Sequence, residues 1–219
     1  MGLPKAMLPF GDEVMLQRVV RILSEVVDRV VVVAAKNQPL PPLGEAVEVI
    51  CDRREDCGPL EGLGVGLAAI QSEADAAYVT SCDVPLLERR FVERLFELLG
   101  DFSVAVPREE KFYHPLAAVY RCSVLPQVEQ LIAAGRMRPA FLFEQVATRK
   151  VMPHEWQDID PESRTLNNLN CPDDYFQALQ AVGFTAPPEI VAALANSMES
   201  STESSTESST ESSTESSTE

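Results

Sequence analysis

No stretch of the chain approaches the roughly 18 uninterrupted apolar residues of a membrane-spanning helix. Nor does the N-terminus carry a basic segment followed by an apolar run. Both absences argue against a membrane partner and for a protein that stays in the cytoplasm. Paired cysteines are missing as well: Cys51, Cys57, Cys82, Cys122 and Cys171 are odd in number and form no Cys-x-x-Cys. Reduced thiols are expected, not a disulfide framework or a zinc site. Basic residues are scarce, with 18 Lys and Arg against 34 Asp and Glu and a formal net charge of −16. Six of those charges are glutamates of a C-terminal repeat, and without them the balance is still −10. With no basic helix and no interleaving of aromatic and basic residues, a nucleic-acid partner is excluded. A small phosphorylated substrate met by one or two local cations fits.

The repeat reads ESSTESSTESSTESSTESSTE and contains no apolar side chain, so it has nothing to bury. It predicts a disordered tail at 197–219, either a plain solvated extension or an arm open to phosphorylation. The boundary falls near Asn196. Residues 1–196, in a chain that is 45% hydrophobic, supply enough apolar surface for one globular domain.

Within that domain two periodicities alternate. Strand-like runs lie at Arg29–Ala35, Val47–Ile50, Ala76–Cys82, Ser103–Pro107 and Leu116–Arg121. Between them, EVMLQRVVRILSEVV places Val14, Leu16, Val19, Val20, Leu23 and Val27 on one side of a helix. LEGLGVGLAAIQ, ERRFVERLFELL and CSVLPQVEQLIAAG repeat the theme. Alternation of this kind predicts an α/β fold, a mostly parallel sheet with helices on both faces. Ligands of such sheets sit beyond the carboxyl ends of the strands, so the turns leaving strands matter most.

Three turns carry chemistry. In SCDVPLL, Asp83 follows a strand and precedes a Val-Pro that stops it. It is either a turn or N-cap aspartate, or an oxygen ligand for a hard divalent cation. In CDRREDCGPLEGLGVGL, Asp52 ends a short strand, and Gly58, Pro59, Leu60, Glu61 and Gly62 open a helix whose N–H groups can meet a ligand. In MGLPKAMLPFG, Lys5 is either a surface lysine or an ammonium that neutralises phosphate oxygens.

Together, MGLPKAMLPFG, CGPLEGLGVGLAAI, VTSCDVPLL, HPLAAVYRCSVLPQVEQLIAAG and NNLNCPDDY resemble the molybdenum cofactor guanylyltransferase family over roughly residues 1 to 182. The resemblance implies a Rossmann-like nucleotidyltransferase fold, Mg²⁺ as cofactor, and GTP and molybdopterin as substrates. Molybdoenzymes or other cofactor-synthesis proteins would be further partners. It makes Lys5 and Asp83 catalytic, Asp83 also the metal ligand, and Lys5, Asp52, Gly58, Pro59, Leu60, Gly62 and Asp83 nucleotide-binding. His114, Pro115, Arg138, Asn168 and Asn170 fall on the pterin side. Cys171 stands where the family usually has threonine, and Val33-Ala34-Ala35 where it often has an asparagine. The family also has a strand and a glycine-rich loop before Met-Gly-x-x-Lys, so a reading frame extending upstream of Met1 is expected, with an open apolar groove where that strand would lie.

The implied reaction is attack of a molybdopterin phosphate on the α-phosphorus of GTP, releasing pyrophosphate, a step needing positioning and charge neutralisation. Two other readings stay open. One is transfer to another acceptor, as in cytidylyl transfer to molybdopterin or activation of a sugar phosphate. The other is a non-catalytic molybdopterin-binding relative without a phosphate loop.

Overall fold

The computed structural model describes residues 3–52 and 58–196. The expected tail at 197–219 and the Cys57 end of the Asp52 loop lie outside the described residues. The five expected strands form at Val30–Ala34 (β3), Val47–Cys51 (β4), Ala76–Thr80 (β5), Val104–Glu109 (β6) and Ala117–Arg121 (β8). Two short strands at Pro9–Phe10 (β1) and Glu13–Val14 (β2) precede them, and Phe112–Tyr113 (β7) and Thr148–Val151 (β9) complete the set. Helices occupy Met15–Ser24 (α1), Gly58–Ile70 (α2), Arg89–Leu99 (α3), Leu125–Ala133 (α4), Ala140–Phe143 (α5) and Pro172–Ala181 (α6). A further helix spans 188–196.

β5 and β6 both run antiparallel to β8, while β9 runs parallel to β6. Three strands of this sheet therefore share one direction and β8 opposes them, because it returns from the β6–β7 hairpin through Glu110 at φ 46°. β3 and β4 pair in parallel, Val30 opposite Val47 through Ala34 opposite Cys51. Helices cover both faces, as the alternation predicts. On one face Val104, Val106, Ala118 and Tyr120 pack against α2, α4 and α5; on the other Ala105, Ala117 and Val119 meet α3, Val151 and Trp156. That period-2 division, apolar on both sides, is what a fully covered strand requires.

One element differs from expectation. Val14 does not lie within α1: it ends the β1–β2 hairpin, extended at φ −100° and ψ 163°, and caps the helix. The hairpin turns at Gly11 (φ 73°), where a Cβ would stand 2.7 Å from the Phe184 ring. The Gln17 side chain accepts the Val14 N–H at 3.1 Å, so the helix starts one residue later. Leu16, Val19, Val20 and Leu23 are buried on one side of α1, as the pattern requires. Val27 lies beyond the helix end yet still packs against the same cluster.

Candidate active site

Lys5 opens a 3-10 turn, Lys5–Met7, whose Ala6 is buried with Leu16 and Val84. That anchor aims the ammonium at the turn after β5, where Asp83 is held by the buried Val84 and Leu87. Lys5 Nζ donates to Asp83 Oδ2 at 2.8 Å and to Asn170 Oδ1 at 3.0 Å. The other carboxylate oxygen, Asp83 Oδ1, accepts from Ser81 Oγ at 2.5 Å and from Asn168 Nδ2 at 2.9 Å. Leu169 N–H donates to the Asp83 carbonyl at 2.9 Å, stitching the asparagine segment to the strand end. The pair is sheltered, with side-chain exposures of 29% for Lys5 and 12% for Asp83. Five side chains from three distant segments thus meet at the carboxyl end of β5, where ligands of such sheets bind.

The asparagine segment is held from behind by two carboxylates. Asp160, buried, accepts the N–H groups of Arg164 and Thr165. Asp174 accepts the N–H groups of Asn170 (2.8 Å) and Cys171 (2.9 Å). Those backbone donors hold the Asp174 carboxyl below its ordinary value. With the Cys171 side chain facing the Asp174 N–H in return, they close a capping box at the start of α6.

The remaining expected residues are dispersed. Asp52 follows β4, and its Oδ1 is buried with no hydrogen-bond partner among the described residues. Burial raises its pKa. A Cβ at Gly62 would lie 3.8 Å from that oxygen, so Asp52 packs beside the start of α2. Gly58 takes φ 67° at the helix entrance, with Pro59 exposed and Leu60 buried behind it. His114 Nε2 lies 3.0 Å from Glu109 Oε2 across the β6–β8 connection, and the Pro115 carbonyl accepts the Tyr120 hydroxyl at 2.8 Å. Arg138 is exposed before α5; its carbonyl accepts the Phe141 N–H at 3.0 Å, and its guanidinium makes no hydrogen bond or ion pair among the described residues. Of the residues grouped on the pterin side, Asn168 and Asn170 contact Lys5 and Asp83 directly, whereas His114, Pro115 and Arg138 do not.

A family model for the MobA-like NTP transferase domain matches residues 1–148. The chain belongs to that family. It is 32% identical over 182 residues to a probable molybdenum cofactor guanylyltransferase of Methanosarcina mazei, covering 78% of this chain and 80% of the relative. A probable molybdenum cofactor guanylyltransferase of Mycobacterium tuberculosis is 35% identical over 176 residues, 78% of this chain and 82% of the other. Among solved structures, molybdopterin-guanine dinucleotide biosynthesis protein A from Archaeoglobus fulgidus superposes with a TM-score of 0.67 at 21% identity, over 83% and 91% of the two chains. The Rossmann-like nucleotidyltransferase fold follows.

Two contributors to this MobA-like site escaped sequence reasoning. Ser81 lies two residues before Asp83, and a Ser-x-Asp spacing at a strand end is the signal that a hydroxyl can reach back to the carboxylate. Asp174 was signalled by Cys-Pro-Asp-Asp, the acidic third position of a helix start. Among the described residues no three His, Cys, Asp or Glu side chains gather into a metal cage, and none of the helices is long and apolar enough to cross a membrane.

Proposed function

We propose that the chain transfers GMP from GTP to the molybdenum-molybdopterin cofactor, releasing pyrophosphate, with Mg²⁺ as cofactor, in the cytoplasm. The observation that carries this reading is the meeting of Lys5, Asp83, Asn168 and Asn170 at one strand end, in a chain whose relatives bear that activity in their names.

The donor set fits a hard cation of this kind. Magnesium in phosphate chemistry takes one or two carboxylates plus substrate oxygens, and Asp83 offers one carboxylate at the end of β5. When bound, Mg²⁺ would supply charge neutralisation on phosphate oxygens. Asp83 Oδ2 is held by the Lys5 ammonium at 2.8 Å. Phosphates entering the site would draw Lys5 toward themselves, offsetting charge on the leaving pyrophosphate and freeing Asp83 Oδ2. Asn168 and Ser81 keep Asp83 Oδ1 oriented throughout. Gly58, Pro59, Leu60 and Gly62 border the base, and His114, Pro115 and Arg138 lie on the elements that would border the pterin. No side chain need act as nucleophile, and His114 is engaged by Glu109. The incoming phosphate is already ionised near neutral pH and requires no general base.

Asp83→Asn removes the anionic ligand at nearly constant volume. Pyrophosphate release with GTP and molybdopterin should fall about 100-fold or more, a loss of roughly 2.7 kcal/mol, with unchanged circular dichroism. Full activity in the variant at saturating magnesium, or faster turnover with CTP than with GTP, would sink the proposal. Molybdopterin binding without GTP binding would identify a non-catalytic relative instead.

A further inference from the structure

The ion pair between Lys5 and Asp83 is a contact that phosphates entering the site would open, since they draw the ammonium toward themselves. Something else must then keep the Lys5 turn and the turn after β5 in register. Arg18, near the start of α1, reaches both sides. Its Nε donates to the carbonyl of Pro85, two residues after Asp83, at 2.7 Å. Its Nη1 donates to Glu13 Oε1 on β2 at 3.3 Å. The guanidinium also lies over the Phe10 ring of β1, 5.0 Å from the centroid, with the Phe184 ring at 6.0 Å. Those two rings meet edge to face at 5.8 Å and 85°. Among the described residues no other side chain is hydrogen-bonded both to the turn after Asp83 and to the β1–β2 hairpin.

Both ends of this link lead into the site. Leu8 N–H donates to the Lys5 carbonyl at 3.1 Å and Met15 N–H to the Leu8 carbonyl at 2.9 Å, so the seat of the hairpin fixes where the Lys5 turn stands. On the other side, Leu87 N–H donates to the Val84 carbonyl at 3.1 Å and Leu169 N–H to the Asp83 carbonyl at 2.9 Å. Pro85 therefore cannot shift without carrying Asp83 with it. Pro85 is buried, and without Arg18 its carbonyl would lose its partner. The helix between the two ends is anchored as well, with Leu16, Val19 and Val20 packed beside Val84 and Leu87. A guanidinium suits this place because it donates in its own plane while its face rests on a ring; an ammonium on a flexible stem is a point charge without that fork.

We infer that Arg18 is a positioning residue of the transferase site: it ties the Asp83 turn to the hairpin behind Lys5, so that Lys5 can leave Asp83 for phosphate without the carboxylate drifting. Resting on the GMP-transfer reading, this role needs no contact between Arg18 and substrate.

The test compares the full chain with Arg18→Met, which keeps the stem but no donor, with Arg18→Lys, which keeps the charge but not the fork, and with Asp83→Asn. In pyrophosphate release at saturating magnesium, both Arg18 variants should lose about tenfold or more in kcat, with KM for GTP changed by no more than about twofold. Amide exchange at Leu87 and Leu169 should quicken about tenfold in both, while Val119 in the sealed sheet stays within about twofold. If the methionine variant does not fold, the lysine variant decides. Full activity in Arg18→Lys, an unchanged kcat in either variant while Asp83→Asn is slow, or faster exchange shared equally by Val119 would each overturn the inference. Should the unaltered chain release no pyrophosphate, the GMP-transfer reading fails, and exchange at Leu87 and Leu169 alone decides whether Arg18 holds the Asp83 turn.

Discussion

β8 and β3 are similarly apolar in sequence, AAVYR against VVVVA, yet one is sealed and the other half-open. β8 has β5 and β6 on its two sides and helices on both faces. β3 also has helical cover but, among the described residues, a strand on only one edge. Apolar composition records the faces of a strand; it carries no information about the edge. A similar contrast divides the site. On the asparagine side, Asp160 and Asp174 are saturated by backbone N–H groups. On the α2 side, the buried Oδ1 of Asp52 has no partner among the described residues.

The largest effect should come from the sealed half. Trp156 is fully buried against Phe91, so Trp156→Ala should cost about 3–5 kcal/mol in urea unfolding. Val32→Ala, at a partly buried position of β3, should cost about 1 kcal/mol or less because its side chain is already partly exposed. Costs of similar size would erase the contrast between the halves.

A smaller effect tests the saturated side of the site. Asp174→Ala removes the acceptor for two N–H groups and should cost about 1 kcal/mol. It should also raise KM more than it lowers kcat if Asn170 only drifts. The Asp174 carboxyl is held low, so its contribution is present above the ordinary value of 3.8 and is lost as pH falls through the lowered one. The gap in melting temperature between the chain and the variant should therefore close in acid. An unchanged KM, or a gap that widens in acid, would contradict the assigned role.

The smallest effect has the opposite sign. Burial raises the Asp52 carboxyl, so its charged form opposes folding above that raised value, and the penalty disappears below 3.8. Asp52→Asn should stabilise the chain within about 1 kcal/mol at neutral pH, and the advantage should shrink as pH is lowered. Destabilisation at pH 7 would mean that the carboxylate has a partner after all.

The main strands and helices were legible because their side chains repeat with the periods of covered strands and amphipathic helices. β9 was not, since its TRKV is a largely polar strand packed beside β6, with only Val151 deeply buried. Nor was the β1–β2 hairpin, two residues a side and hidden in an apolar run that continues into α1. At the site, Lys5 and Asp83 stood out by their turns. That Asn168 and Asn170 bond to them was invisible, because contacts between residues 85 and 165 positions apart leave no local pattern.

The contact between Lys5 and Asn170 also has a consequence in time. Those residues are 165 positions apart, and Tyr175 reaches the Pro9 carbonyl across 166. On a ribosome the sealed sheet, β5 through β9, is complete once Val151 has emerged, and its contacts reward early collapse. The Lys5, Asp83 and Asn170 cluster must wait for the segment that ends in α6. Loop closure over such a span is slow relative to local structure. The growing chain therefore owns a core before it owns a site, and its ammonium and carboxylate stay in water until the last fifth of the domain arrives to enclose them.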